Sequence, residues 1–377
     1  MSQKKNRKRF VIIGASPRSL INFRGPLIIK LIKENFEVIA MAAYRDSIID
    51  SDLKKMNVKF EEYPVKRNGL NPFSDLNTLM FLRNFFKRVK PDIIFSYTIK
   101  PVVWGGIATR VMPDVRYYAL ITGLGYAFQN GGFLRKLLSL MVVGLYRFSL
   151  KKAVKVIFQN PDNLHEFVSR GIVPAAKCEL VNGSGVDMNH FSFVPLLDDA
   201  PVTFLSIGRL LGEKGFREYA KAAQIVKQKY PNVIFNLLGP ADPSPDGLSM
   251  DEVESWQKNG FVEYLGSASD VRPSIKNSHI YVLPSYHEGM PRTVLEAMSM
   301  GRPILTTDVP GCRETVVEGV NGYLVPKEDA SALAERMTWY IENRNQWGRM
   351  GKCSRDIVEE KFDVNKVNAK LMRIMEL

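Results

Sequence analysis

Short apolar strands alternating with helices predict an α/β protein, built as two doubly wound parallel sheets wrapped by helices on both faces. Three observations carry this. The chain has 377 residues, two domains or at most three at roughly 100 to 200 residues each. Its composition, 45% hydrophobic and 24% charged, is that of a globular protein and excludes a disordered or fibrous one. The strand-helix rhythm also stops at a linker, Pro195 to Pro201 (PLLDDAP), and restarts directly after it.

In the first half, Arg7 to Ala15 (RKRFVIIGA) is a basic start, an apolar β-rich run and a glycine, followed by helical spacing over Leu27 to Lys33. Glu37 to Ala42 reads as a strand, Asp75 to Val89 as a helix, and Pro91 to Ser96 and Val115 to Leu120 as strands. Lys155 to Gln159 and Cys178 to Val181 extend the sheet. In the second half, strands are expected at Val202 to Ile207, Val233 to Leu238, Val262 to Leu265, Ile280 to Pro284, Pro303 to Thr306 and Gly322 to Val325. Amphipathic helices Ala330 to Asn343 and Val364 to Met375 close the chain. Tyr117 to Leu134 is the longest stretch without Lys, Arg, Asp or Glu, but four glycines with Gln129 and Asn130 make it too broken to span a bilayer. Leu137 to Tyr146 is expected to be a buried helix.

Cys178, Cys312 and Cys353 form neither a disulfide framework nor a metal cluster, and the N-terminus does not resemble a signal peptide, so a reducing cytoplasm is expected. His165, His190, His279 and His287 are scattered, and no metal site is proposed. Charge is asymmetric: residues 1 to 195 hold 30 Lys and Arg against 14 Asp and Glu, net +16, and the remainder is net −3. Such a half suits an anionic partner, whether nucleic acid, acidic lipid or a phosphorylated substrate; a solvated basic face is the alternative.

Three strand-to-helix loops can carry chemistry. Gly208 to Gly215 (GRLLGEKG) combines glycines with Arg209, a planar fork, and Lys214, a point charge, both suited to phosphate oxygens. It is not a Walker A loop. Pro284 to Ala297 (PSYHEGMPRTVLEA) places Glu288 in a loop and Glu296 in a helix whose N-terminus falls near Pro291 to Thr293, where amides favour an anion. Carboxylates beside a phosphate site suit hydroxyls: a ribose for Glu296 and a sugar for Glu288. Thr122-Gly123-Leu124-Gly125 is the third, a tight turn or space for an acceptor sugar.

Together, the GRxxxEKG pattern, Glu288 and Glu296 in an E-x7-E arrangement, Ala297-Met-Ser-Met-Gly-Arg-Pro-Ile304 and Gly319-Val-Asn-Gly322 resemble the retaining glycosyltransferases of family 4. Asn71-Pro72, Ser96-Tyr-Thr-Ile-Lys-Pro101 and Ile121-Thr-Gly-Leu-Gly-Tyr-Ala-Phe128 are similar to enzymes extending undecaprenyl-diphosphate-linked sugars, among them bacterial galactosaminyl- and N-acetylgalactosaminyltransferases. Two departures stand out. Gly14-Ala15 replaces the usual Gly-Gly pair, and Ile99 beside Lys100 replaces a histidine.

The resemblance implies the GT-B fold of two facing Rossmann-like domains with a cleft between them: residues 1–195 for the acceptor, 196–360 for the nucleotide sugar, and a helix within 361–377 packing back on the first domain. It implies a metal-independent, retaining hexosyltransferase moving a hexose or N-acetylhexosamine from a UDP-sugar to a lipid-linked saccharide in cell-surface glycan synthesis. Arg209 and Lys214 would neutralise the diphosphate, Glu288 would hold the donor sugar, and Glu296 the ribose. Gly289, Met290 and Pro291 would offer amides to the sugar; Thr293, Val294 and Leu295 would cap the diphosphate, with Gly208 and His287 alongside. Gly14, Lys100, Thr122 and Gly123 would meet the acceptor. The UDP-sugar is a co-substrate and no cofactor is implied. The basic half would attach to anionic lipids at the inner face of the bacterial membrane, electrostatically rather than through the 133–146 segment. The alternatives are a nucleic-acid-binding protein, an epimerase of the same fold or an inactive partner subunit.

Overall fold

The computed structural model of the protein describes residues 7–66, 71–125, 128, 132–197 and 200–377. The chain divides into two compact units, one running to Ser184 and taking up Asn368–Leu377, the other formed by Gly185–Val367. Residues 4–6 of the N-terminal basic cluster, Tyr126 and Ala127 of the third loop's motif, and Asp198 and Asp199 of the linker lie outside the described residues.

The first unit runs β1 (Arg9–Ile13), α1 (Pro17–Asn22), α2 (Gly25–Lys33), β2 (Glu37–Ala42), α3 (Ser47–Lys55), β3 (Lys59–Glu62), α4 (Pro72–Val89), β4 (Ile93–Tyr97), α5 (Ile99–Thr109), β5 (Arg116–Ile121), α6 (Phe133–Leu150), β6 (Lys155–Phe158), α7 (Pro161–Ser169) and β7 (Cys178–Leu180). All strands are parallel, in the order β3-β2-β1-β4-β5-β6-β7. Central strands are largely apolar because helices cover both faces, and Phe10, Ile94 and Leu120 are fully buried. Helix starts are specified locally. Asp46, Asn71 and Asn160 accept amide hydrogen bonds at their caps, and Pro72 and Pro161 occupy first-turn positions where no N–H is needed.

The second unit runs β8 (Thr203–Ile207), α8 (Phe216–Lys229), β9 (Ile234–Leu238), α9 (Met250–Lys258), β10 (Glu263–Tyr264), α10 (Arg272–Lys276), β11 (Ile280–Leu283), α11 (Arg292–Ser299), β12 (Ile304–Thr307), β13 (Gly322–Val325), α12 (Ala330–Glu342) and α13 (Trp347–Ile357). Its parallel order is β10-β9-β8-β11-β12-β13. Residues 185–195 join this unit through backbone hydrogen bonds of Val186 N to Phe362 O, 2.9 Å, and Val364 N to Val186 O, 3.0 Å. The closing helix α14 (Val364–Ile374) delivers the C-terminus to the first unit, where the Tyr118 hydroxyl donates to Met375 O at 3.1 Å.

Strand order reverses beside β1 in one sheet and beside β8 in the other, so the crevices lie at the carboxyl ends of β1/β4 and β8/β11. Three features depart from the expectations. Helix α3 with edge strand β3 was not anticipated, nor was α5, whose residues are buried almost all round and therefore show no amphipathic period. The helix expected to be buried at 137–146 is buried on one side only: Val142, Val143 and Tyr146 are core, whereas Leu137, Leu140 and Met141 are exposed.

Candidate functional site

The second unit gathers its candidate residues at the carboxyl ends of four adjacent strands, β9, β8, β11 and β12. From β8, Gly208 and Arg209 lead to a short 3-10 turn, Gly212–Lys214, and then into α8. Gly215 closes that turn with φ +70°, and a Cβ there would lie 2.0 Å from Pro284 O. Only glycine lets this loop press against the end of β11. Tyr286 N donates to Glu213 O at 2.8 Å, fastening the two loops to each other.

That contact sets up the centre. Lys214 Nζ lies 2.5 Å from Glu288 Oε1, and both side chains are only about one-seventh exposed, 15% and 14%. Ser285 Oγ donates to the same carboxylate at 2.8 Å, and Glu288 N donates to Pro310 O at 3.1 Å. Arg209 is ion-paired with Asp242 from the loop after β9, the arginine 42% exposed and the aspartate 9%. Burial works against the charge on Asp242, but hydrogen bonds from Ser244 and Arg209 outweigh it and hold the carboxyl below its usual range. Glu296, buried, accepts from Arg292 Nε at 2.8 Å one turn earlier. Burial nonetheless pushes its carboxyl above the ordinary value, with Arg292 offsetting part of the rise.

Each cation expected to face phosphate therefore already carries a carboxylate, and the charges of Arg209, Lys214, Asp242 and Glu288 cancel. Arg offers five donors and an ammonium three, so both can add phosphate oxygens while keeping an acid partner. Asp242 and Ser285 were not anticipated. Asp242 lies 33 residues from its partner and Glu288 lies 74 from Lys214, separations at which no local pattern signals a pair.

The helix that follows, α11, has Pro291 at its N-cap and no side-chain cap. Pro291 has no N–H, so it offers no amide to a sugar. Val294 N and Leu295 N are bonded to Pro291 O at 3.1 and 3.3 Å, which makes the amides ahead of them the helix-terminal donors. Thr293 instead turns its hydroxyl toward Ile207 O, 3.4 Å, at the end of β8. Gly289 is buried; His287 and Met290 are half-buried in the same loop.

In the first unit, Gly14, Lys100 and the Thr122–Gly125 turn follow β1, β4 and β5, which are neighbours in the sheet. The space on the side-chain face of Gly14 is filled, not open: a Cβ would meet the Tyr97 hydroxyl at 2.2 Å. Tyr63 OH donates to Gly14 O at 2.9 Å, and the Tyr97 and Ser19 hydroxyls are 2.7 Å apart. Lys100 is paired at 2.9 Å with Asp75 of α4, the two side chains 14% and 9% exposed. Thr122 is half-buried, and a Cβ on Gly123 would meet nothing within 4 Å. The one Asp-x-Asp of the N-terminal half, Asp50-Ser51-Asp52, sits on α3 with its carboxylates held by Arg45, Lys54 and Lys55. Among the described residues, no group of three or more His, Cys, Asp or Glu is placed to hold a metal ion, and no helix is long and apolar enough to cross a membrane.

Known proteins resemble the chain in both halves. Residues 187–356 match the family Glycosyl transferases group 1, and residues 24–160 match Glycosyl transferase 4-like. A Campylobacter jejuni protein, N,N'-diacetylbacillosaminyl-diphospho-undecaprenol alpha-1,3-N-acetylgalactosaminyltransferase, is 27% identical over 98% of each chain. An Escherichia coli UDP-Gal:alpha-D-GlcNAc-diphosphoundecaprenol alpha-1,3-galactosyltransferase is 24% identical over 80% of each. The fold is shared with the Anabaena protein HepE, solved with UDP and glucose, at a TM-score of 0.78 with 17% identity, covering 98% of this chain and 100% of that one. A Rickettsia africae glycosyltransferase likewise gives 0.78 at 18% identity over 98% of each.

Proposed function

Because the chain belongs to the glycosyltransferases, with a family domain matched in each half, we propose that it is a retaining, metal-independent transferase moving a hexose or N-acetylhexosamine from a UDP-sugar to an undecaprenyl-diphosphate-linked saccharide. The observation that carries this reading is the Lys214–Glu288 pair, with Arg209 beside it, at the strand reversal of the second sheet and ahead of the uncapped start of α11. The relatives named above support the acceptor class, and the UDP in the HepE structure supports the donor. Matching of both halves to glycosyl transferase families disfavours the nucleic-acid-binding and epimerase alternatives.

In this mechanism the bond from the anomeric carbon to the diphosphate breaks as the sugar takes on oxocarbenium character. Arg209, Lys214 and the terminal amides of α11 stabilise the charge that accumulates on the departing diphosphate. Glu288 orients the sugar, and Glu296 accepts hydrogen bonds from the ribose hydroxyls. The acceptor hydroxyl forms the new bond on the face the diphosphate leaves and passes its proton to that leaving group, so configuration is retained. Gly14, Lys100, Thr122 and Gly123 sit on the acceptor side, and the basic half attaches the enzyme to anionic lipid.

The test offers a panel of UDP-sugars with a lipid-diphosphate-linked saccharide, measuring UDP release and the anomeric configuration of the product. One UDP-sugar should be consumed with retention, in the presence of a chelator. An inverted product, or activity lost to chelator and restored by Mn²⁺, would overturn the mechanism; no UDP release with any pair would overturn the function.

A further inference from the structure

We infer that the outward face of α6 is a bilayer-inserting surface, taking the acyl and headgroup boundary of an anionic membrane as its partner. The inference deepens the peripheral-membrane reading and rests on it. Leu137, Leu140, Met141 and Phe148 are 57%, 70%, 47% and 50% exposed. Their spacing of three, four and seven residues puts them on one stripe of the helix. The opposite side, Val142, Val143 and Tyr146, is buried in the core, so the exposed stripe is surplus to folding.

Charge selects the occupant. Residues 115–161 contain seven Lys and Arg and no Asp or Glu. Exposed Lys136, Lys151 and Lys152 lie at the two ends of the stripe, and Arg110 stacks over the Phe148 ring at 3.8 Å. Apolar side chains flanked by cations with long stems match an interfacial helix on an anionic leaflet. A second copy of the chain is a poor fit, because pairing this face with itself would oppose cations with no carboxylate between them.

Topology supports the same partner. Helix α6 starts beyond the carboxyl end of β5 and returns along the sheet, so Leu137, Leu140 and Met141 lie in the half nearest the Thr122–Gly125 turn. Helix α4 also starts at that edge and exposes Phe73, 86%, and Leu76, 54%, in its first two turns. Helix α5 packs between α4 and α6 and is almost wholly buried. Five of the exposed apolar side chains, Leu137, Leu140 and Met141 on α6 and Phe73 and Leu76 on α4, thus lie toward the edge of the first unit that carries the acceptor-side loops, where an acceptor with a membrane-embedded lipid would present its diphosphate, and Phe148 continues the stripe toward the other end of α6.

The experiment compares sedimentation of the full chain with vesicles of phosphatidylglycerol and phosphatidylcholine, and with phosphatidylcholine alone, at 0.1 M and 1 M NaCl. Variants are Leu137→Ser/Leu140→Ser and Lys151→Gln/Lys152→Gln, with the melting temperature of each checked against wild type. Debye screening removes the charge attraction at 1 M salt, so wild type should keep a salt-resistant fraction on anionic vesicles. The leucine variant should lose about tenfold in partition coefficient at either salt, since two largely exposed leucines no longer insert. The lysine variant should lose binding mainly at 0.1 M. Wild type that ignores every vesicle would sink the membrane reading itself. Wild type that binds at low salt, with the leucine variant binding equally, would leave that reading standing and overturn α6 insertion. Concentration-dependent dimerisation abolished by the leucine variant would assign the stripe to a second copy and also overturn it.

Discussion

Removing Lys214 should destabilise the second unit as well as stop turnover, and the structure sets the size of the effect. Its ammonium lies 2.5 Å from Glu288 with both side chains about 85% buried. Breaking a buried pair by deleting one partner costs about 3 to 5 kcal/mol because the other charge is stranded. The pair sits in loops beyond the carboxyl ends of β8 and β11, and Ser285 still donates to Glu288 at 2.8 Å, so the low end, about 3 kcal/mol, applies to Lys214→Ala. Glu288→Ala should cost less, about 1 to 2 kcal/mol, because the freed lysine can carry its ammonium to water on a flexible stem. Lys214→Met/Glu288→Leu should return to within about 1 kcal/mol of wild type, since an apolar pair strands no charge. For a unit of this size Lys214→Ala corresponds to a fall of about 6 to 12 °C in melting temperature. Calorimetric melting of Lys214→Ala, Glu288→Ala and Lys214→Ala/Glu288→Ala gives the cycle: the double alanine variant strands no charge and should cost about 2 kcal/mol, so the expected coupling is about 2 to 3 kcal/mol. UDP titration gives the other readout: Lys214→Ala should weaken UDP by about 1.5 to 3 kcal/mol, and the apolar double variant should be folded but inactive. A coupling below about 0.5 kcal/mol would refute the structural half of the argument. Wild-type UDP affinity in Lys214→Ala would refute the phosphate half.

Four further outcomes follow from the same geometry. Asp242→Asn should tighten UDP by about threefold to tenfold in calorimetry, because the diphosphate no longer shares the partly exposed Arg209 with a carboxylate; weaker binding would instead make Asp242 a clamp that positions the arginine. Burial raises the folded-state pKa of Glu296, so its contribution to stability is complete below the unfolded carboxyl value and is lost as pH rises through the folded one. The melting temperature of wild type minus that of Glu296→Gln should therefore decrease from pH 4.5 toward pH 7, and a difference that grew with pH would contradict this. Gly215→Ala places a Cβ 2.0 Å from Pro284 O in a left-handed turn; melting should show a loss of at least about 1 kcal/mol together with weakened UDP binding, as the Lys214 loop shifts. Lys100→Gln strands the buried Asp75 and should lower the melting temperature of the first unit more than Lys100→Gln/Asp75→Asn does; equal losses would mean the pair contributes nothing to stability.

The sequence by itself determined the strand-helix rhythm, the restart after Pro195, and the candidate loops at the strand ends, because each is written in local chemistry. β1, β8 and β11 are mainly apolar runs, buried on both faces apart from Arg9 at the start of β1, and the GRLLGEKG and PSYHEGMPRT segments punctuate strand ends with glycine, proline and charge. Tertiary structure decided what those loops face. Lys214 and Glu288 were both legible as candidate site residues, but that they neutralise each other depends on how β8 and β11 come to lie side by side. Arg209 with Asp242 and Lys100 with Asp75 depend likewise on contacts across 33 and 25 residues. Gly14 is legible as a glycine after a strand, but that Tyr97 fills the space beside it is a fact of the fold alone. Helix α6 shows the limit most directly. Leu140 and Val143 are both apolar and three residues apart, yet one is 70% exposed and the other is core. Hydropathy alone cannot separate them, because burial is fixed by which neighbours, here β5, α5 and α7, arrive to cover a given face.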